Sequence, residues 1–131
     1  LARIVDVADN QQLIDGIAAL GVDAALDKVF EGMMAAFLPE SAAGQSAVVQ
    51  WDLDTPAGLR SYHLTVGDGR ATFSRGAAAS PRVTLALGIP EFLRIITGRM
   101  SGTAAFFEGK LKVSGDVLFA QTQENWFKKP G

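Results

Sequence analysis

The sequence contains no cysteine and a single histidine, His63, among its 131 residues. Without cysteine the chain has neither a disulfide nor a thiolate nucleophile, and it is compatible with the reducing cytoplasm. A zinc site draws three or four ligands largely from histidine and cysteine, which this chain does not supply. The sequence therefore predicts a cytoplasmic protein that needs no metal and no other cofactor.

The chain also lacks an excess of charge of either sign. Twelve Lys and Arg against fourteen Asp and Glu leave a net charge of −2. Binding to nucleic acid needs a concentrated basic surface, and the only basic clusters are Lys110/Lys112 and Lys128/Lys129. No apolar run approaches the roughly 18 residues of a membrane span. We expect no nucleic acid as a partner and at most transient contact with a membrane.

The length favours a single domain over residues 1–131, and the abundant alanine favours a bacterial source. The chain begins at Leu1, which suggests a processed protein or a piece of a longer one. Asp9 and Gln12 predict a capping box for a helix that ends at Leu20. Asp23 is expected to cap a second helix that runs to Leu38, where Pro39 follows.

The hydrophobic period then changes from helical to alternating. Strands are predicted near residues 47–54, 61–66, 70–74, 83–87 and 110–114. Asp68-Gly69 favours a tight hairpin between the second and third strands, and the face that bears Gln50, Asp52, His63 and Thr65 is expected to meet water. The order of elements predicts an α+β fold, in which helices cover one face of a five-stranded, mostly antiparallel sheet.

Three helices are predicted in the last third of the chain. Pro90 marks the start of one that ends at Gly98. Ser101 or Thr103 is expected to cap a short second helix. The last helix, capped by Asp116, is predicted to run from Val117 to Lys128.

One polar arrangement suggests catalysis. His63 would act as a base if Ser61 supplied the nucleophile and Asp52 the orienting acid. Nothing resembling a Gly-x-Ser-x-Gly elbow accompanies them, and a histidine on the polar face of a strand is usually only solvated. We therefore expect no catalytic residue.

Large apolar side chains are concentrated in the last third of the chain. Two interpretations fit: a tightly packed core, or an apolar cavity that short helices leave unfilled. On the second interpretation the walls would come from the following residues: Met33, Phe37, Trp51, Leu53, Phe92, Leu93, Ile96, Met100, Phe106, Phe107, Leu111, Val113, Leu118 and Trp126.

The segment Ala105–Asp116, AFFEGKLKVSGD, resembles the hallmark segment of sterol carrier protein 2 domains. The upstream segments VTL at 83–85, EFL at 91–93 and TGRM at 97–100 are similar to that family as well. The resemblance covers roughly residues 23–127. Residues 1–22, with their extra helix, form an N-terminal extension to the minimal domain, and the last helix departs from the family's usual pattern.

The resemblance implies a hydrophobic tunnel for sterols, fatty acids, acyl-CoA or phospholipids. It implies binding and transfer of an apolar lipid without turnover, so no enzyme activity is expected. The family's fold also occurs as an appendage of enzymes. The alternative function is therefore an accessory domain that positions a substrate or aids dimerisation in a larger lipid-metabolising enzyme.

Overall fold

The structure, a computed structural model, describes residues 9–124 and 126–128. The first eight residues of the N-terminal extension therefore lie outside the described part, as does Lys129. The helices are α1 (Asn10–Leu20), α2 (Val22–Ala35), α3 (Ile89–Ile96), α4 (Gly102–Phe107) and α5 (Val117–Glu124). The strands are β1 (Ala47–Thr55), β2 (Gly58–Gly67), β3 (Arg70–Arg75), β4 (Val83–Gly88) and β5 (Leu111–Gly115).

The five strands form one sheet in the order β3-β2-β1-β4-β5. All neighbours are antiparallel except β1 and β4, which are parallel. Asp68 and Gly69 make the β2–β3 hairpin with φ angles of 52° and 71°, the left-handed conformation that a two-residue turn requires. The α+β fold and its mostly antiparallel sheet are as predicted.

The parallel pair arises because the chain leaves the edge strand β3 and crosses to the far side of β1. The crossing segment, residues 76–82, is held by the side chain of Gln50, whose Oε1 accepts a 2.8 Å hydrogen bond from the Ala78 amide. Gln50 is consequently buried, although its alternation predicted a solvated position. Asp52 and His63 are partly exposed and Thr65 is exposed on the same face, as expected.

The opposite face of the sheet carries the core. Over β1 and β2 that core is aromatic and filled: the Phe30 ring from α2 stacks on Tyr62 at 4.4 Å and lies 5.7 Å from Trp51 and 5.4 Å from Phe92. Such ring pairs add to the free energy of apolar burial. They anchor α2 and α3 on this half of the sheet.

Two charged contacts also fasten α2 to the sheet. The prediction that Asp23 caps α2 is wrong, because the helix begins at Val22 after Gly21 and no side chain caps it. Asp23 lies in the first turn, where its Oδ1 accepts a 2.9 Å hydrogen bond from Arg60. One turn later, Asp27 accepts hydrogen bonds from Arg75.

Two helices end earlier than the hydrophobic pattern predicts, α2 at Ala35 and α5 at Glu124. The residues that follow them pair with one another instead, as an isolated antiparallel bridge between Phe37 and Phe127. The Leu38 amide donates to the Trp126 carbonyl at 2.7 Å, and the Lys128 amide donates to the Ala36 carbonyl at 2.8 Å. These hydrogen bonds satisfy backbone groups that a continued helix would have satisfied internally.

Candidate functional site

A cavity of about 920 Å³ lies between the sheet and the helices. Its floor is the helix-facing side of β1, β4 and β5, and its walls come from α2, α3, α4 and α5. The other half of the sheet is filled by Phe30 and its ring partners. Over β4 and β5 the cover comes from α3 and from the short helices α4 and α5, which leave space between them and the sheet.

Seven of the sequence-predicted residues line this cavity. They are Met33, Trp51, Phe92, Ile96, Phe106, Leu111 and Val113. Leu111 and Val113 project into the cavity because β5 alternates, so that Lys112 faces the other side of the sheet. Whether any of these side chains touches a lipid stays a prediction.

The structure places the other seven outside the lining. Leu53, Leu93 and Trp126 are buried in packed regions of the core, and Phe37 and Met100 are partly buried against it. Phe107 and Leu118 are 80% and 77% exposed. Neighbouring helical residues point about 100° apart, so Phe106 borders the cavity and Phe119 is buried, while Phe107 and Leu118 face outward.

Apolar lining residues that the sequence reasoning did not select also contribute. They are Val29, Ala35, Ala36, Leu85, Leu87, Ile95, Val117, Ala120 and Phe127. Leu85 and Leu87 alternate along β4 in register with Val113 and Leu111, so the strand pattern was a usable signal for them. Phe127 reaches the cavity because its segment pairs with the segment of Phe37, and no local sequence pattern predicts that contact.

Polar side chains in the lining are few. Lys28, Thr103, Gln121 and Lys128 are partly or fully exposed and mark the rim. Thr97 is buried, and its hydroxyl donates to the Leu93 carbonyl at 2.7 Å. Gln123 is buried: its Nε2 donates to the Ala120 carbonyl at 3.2 Å, and its Oε1 has no hydrogen-bond partner among the described residues. The cavity is thus an apolar space with a polar rim.

The start of α5 is fixed by a cluster around Asp116. Its Oδ1 accepts a 3.0 Å hydrogen bond from the Phe119 amide, which holds the pKa of the Asp116 carboxyl below its usual value, with help from Arg82. Arg82 donates to the Asp116 carboxylate at 3.1 Å, and its guanidinium lies 3.9 Å from the centre of the Phe119 ring. The predicted cap is confirmed, and it orients the helix that walls the cavity.

The polar arrangement at His63 does not form a triad. The Ser61 hydroxyl donates to Asp52 at 2.7 Å, whereas Nδ1 of His63 faces the Gly76 carbonyl at 2.9 Å. The acid therefore bonds the serine rather than the imidazole, on the sheet face away from the cavity. Across the described residues there is no group of three or more side chains able to hold a metal ion, and no helix long and apolar enough to cross a membrane.

Residues 30–128 match the model of the SCP-2 sterol transfer family. Human sterol carrier protein 2 is 29% identical over 79 residues, which is 60% of this chain and 14% of that protein. The chain therefore spans only a small part of the length of the curated relatives it matches.

Solved structures share the fold. The sec-alkylsulfatase Pisa1 from Pseudomonas sp. aligns with a TM-score of 0.68 and 18% identity over 76% of this chain and 16% of that one. Palmitated SCP2L2 from Aedes aegypti aligns with a TM-score of 0.62 and 24% identity over 74% of this chain and 88% of that one. With the family match over most of its length, the chain belongs to the SCP-2 sterol transfer family.

Proposed function

We propose that this chain binds a fatty acid, acyl-CoA, sterol or phospholipid by its apolar part in the cavity between sheet and helices, and releases it unchanged. The observation that carries the proposal is the cavity of about 920 Å³ with its apolar walls. Ligand sites in proteins typically have volumes of roughly 300–1,000 Å³. The relative from Aedes aegypti that was solved in a palmitated form supports a fatty acid as one such ligand.

The apolar walls favour lipid binding but distinguish poorly between lipids of different chain length. Burial of each methylene group contributes about 0.8 kcal/mol, so a long acyl chain gains on the order of 10 kcal/mol before the costs of association. One methylene more or less changes that sum only slightly. We therefore expect binding of several chain lengths, with affinity that rises with length until the cavity is full.

Titration with a fluorescent long-chain fatty acid, followed by energy transfer from the two tryptophans, tests the proposal. Phe106 and Phe107 offer a matched pair of variants, because they are adjacent on α4 and only Phe106 lines the cavity. Phe106→Ala should weaken binding about tenfold through lost apolar contact, and Phe107→Ala should leave the affinity unchanged.

Palmitate should displace the probe from the wild type. Absence of saturation with fatty acid, sterol, acyl-CoA and phospholipid alike would refute the proposal. Equal effects of the two substitutions would place the bound lipid somewhere other than this cavity.

The likeness to Pisa1, in which the aligned region is 16% of a larger enzyme, favours a second candidate function. The same cavity would then hold the apolar part of a substrate for a neighbouring catalytic domain. Kinetics of the protein encoded by the native gene would decide. On this alternative, Phe106→Ala raises KM for a long-chain substrate and leaves KM for a short-chain one unchanged. A native reading frame that starts just before Leu1 would count against it.

A further inference from the structure

Exposed apolar side chains are concentrated at one place. Among the described residues, six large apolar side chains are exposed, and four of them lie on α4 and at the start of α5: Phe106, Phe107, Val117 and Leu118. We call these four residues the α4–α5 patch. The remaining two, Leu20 and Leu59, lie on α1 and β2.

The patch is continuous with the cavity. Phe106 and Val117 line the cavity and are also 37% and 42% exposed, so they form part of its mouth. Each is followed by an apolar neighbour that projects fully into solvent. Between the two helices, Nε2 of Gln121 on α5 donates a 3.4 Å hydrogen bond to Oγ1 of Thr103 on α4.

The charges nearest to the patch cancel. The Glu108 carboxylate lies 3.4 Å from the ammonium of Lys110, and the Asp116 carboxylate lies 3.1 Å from the guanidinium of Arg82. These two ion pairs add no net charge beside the patch, so we expect attraction to the patch itself to come from apolar burial. A contiguous apolar patch of this kind usually marks an interaction site.

We propose that the α4–α5 patch docks on the surface of a lipid bilayer and that lipid enters the cavity between α4 and α5. The inference rests on the proposed lipid-binding function. A protein partner seated on the patch would cover the mouth of the cavity. A bilayer accepts exposed phenylalanine and leucine side chains at its interface and is at the same time the source of the ligand.

Flotation with neutral phosphatidylcholine vesicles tests the proposal, because neutral vesicles exclude adsorption by charge. Leu118→Asp is the main variant. Position 118 lies in the first turn of α5, where an acidic residue suits the helix dipole, so folding is preserved. Phe107→Ser is the second variant. The matched controls are Leu20→Ser and Leu59→Ser, which remove exposed apolar side chains from other elements without adding a charge opposite Asp54.

We expect the wild type and both controls to float with the vesicles. Each patch variant should reduce the bound fraction about tenfold and slow vesicle-to-vesicle lipid transfer correspondingly. The affinity of the patch variants for a soluble fluorescent fatty acid should be unchanged, because neither Phe107 nor Leu118 lines the cavity.

A wild type that stays unbound, or patch variants that float as well as the controls, would overturn the docking surface. Patch variants that convert a dimer into a monomer without affecting flotation would assign the patch to a second copy of the chain and equally overturn the proposal. The proposed function fails separately, if the fatty acid does not bind in solution.

Discussion

Tyr62 provides a spectroscopic test of how α2 is held on the sheet. Its side chain is 1% exposed, and its hydroxyl donates a 3.0 Å hydrogen bond to Oδ1 of Asp27 on α2. Burial first, and the hydrogen bond and negative charge of Asp27 next, raise the pKa of Tyr62 from 10.0 to about 12. Both causes disfavour the phenolate next to a carboxylate in an apolar surrounding.

The raised pKa of Tyr62 makes the free energy of unfolding depend on pH. The folded chain keeps the Tyr62 proton up to about pH 12, whereas the unfolded chain releases it near pH 10. Between those values the folded state binds more protons, so stability falls as pH rises. Two pH units correspond to a loss on the order of 3 kcal/mol across this window.

The chain contains one tyrosine, so the near-ultraviolet absorbance of phenolate has a single source. In the native protein its midpoint should lie near 12, and in concentrated urea near 10. Asp27→Asn should lower the native midpoint part of the way, because burial remains, and Tyr62→Phe should remove both the titration and the alkaline loss of stability. A native midpoint near 10 with the circular dichroism spectrum intact would refute the reasoning.

Three further outcomes are expected from urea unfolding. A Cβ at position 115, where φ is +97°, would lie 2.5 Å from the Arg82 carbonyl oxygen, so Gly115→Ala should lower the free energy of unfolding by about 3 kcal/mol. At Gly109 φ is +77° and the space around a Cβ is open, so Gly109→Ala should lower it by only about 1 kcal/mol. Equal losses would contradict the predicted clash. The hydrogen bond and charge of Arg75 lower the pKa of Asp27, so the Asp27 carboxylate stabilises the fold above the usual carboxyl range. That stabilisation is lost as the pH falls through the lowered pKa. Asp27→Asn should therefore reduce the acid-induced loss of unfolding free energy by about 1 kcal/mol. Gln123→Met should raise the free energy of unfolding by about 1 kcal/mol because it removes a buried acceptor without a partner, and an unchanged value would indicate that the acceptor is satisfied.

Local signals in the sequence predicted the parts of the fold that local chemistry determines. The Asp9 capping box forms, and the Asp68-Gly69 hairpin turn has the expected backbone. The Ser101 and Asp116 caps also form, so the last two helices begin where predicted. Each of these features depends on residues within a few positions of one another.

Long-range pairing explains what the sequence could not give. Nothing between Val117 and Lys128 stops a helix locally; α5 ends where the chain pairs with the end of α2. The alternating hydrophobic pattern of β4 likewise does not specify that β4 pairs with β1 rather than with β3.

The candidate site divides in the same way. Strand alternation correctly put Leu111 and Val113 on one face, because the period of a strand is fixed. A helix of six residues has no such stripe, so Phe106 and Phe107 were equally plausible from the sequence. Leu53 and Leu93 were predicted as cavity walls, but both are buried in the core and neither lines the cavity.

The bridge between Phe37 and Phe127 bears on the order in which the molecule assembles. It joins segments about 90 residues apart in the chain, and the entropy of closing so long a loop favours late formation of such contacts. During synthesis from the N-terminus, the sheet and α2 are complete before residue 127 emerges from the ribosome. We therefore expect the wall made by Phe127 and Lys128 to close late in folding. A nascent chain exposes an unfinished apolar trough, and loading with lipid during synthesis would shield it from aggregation.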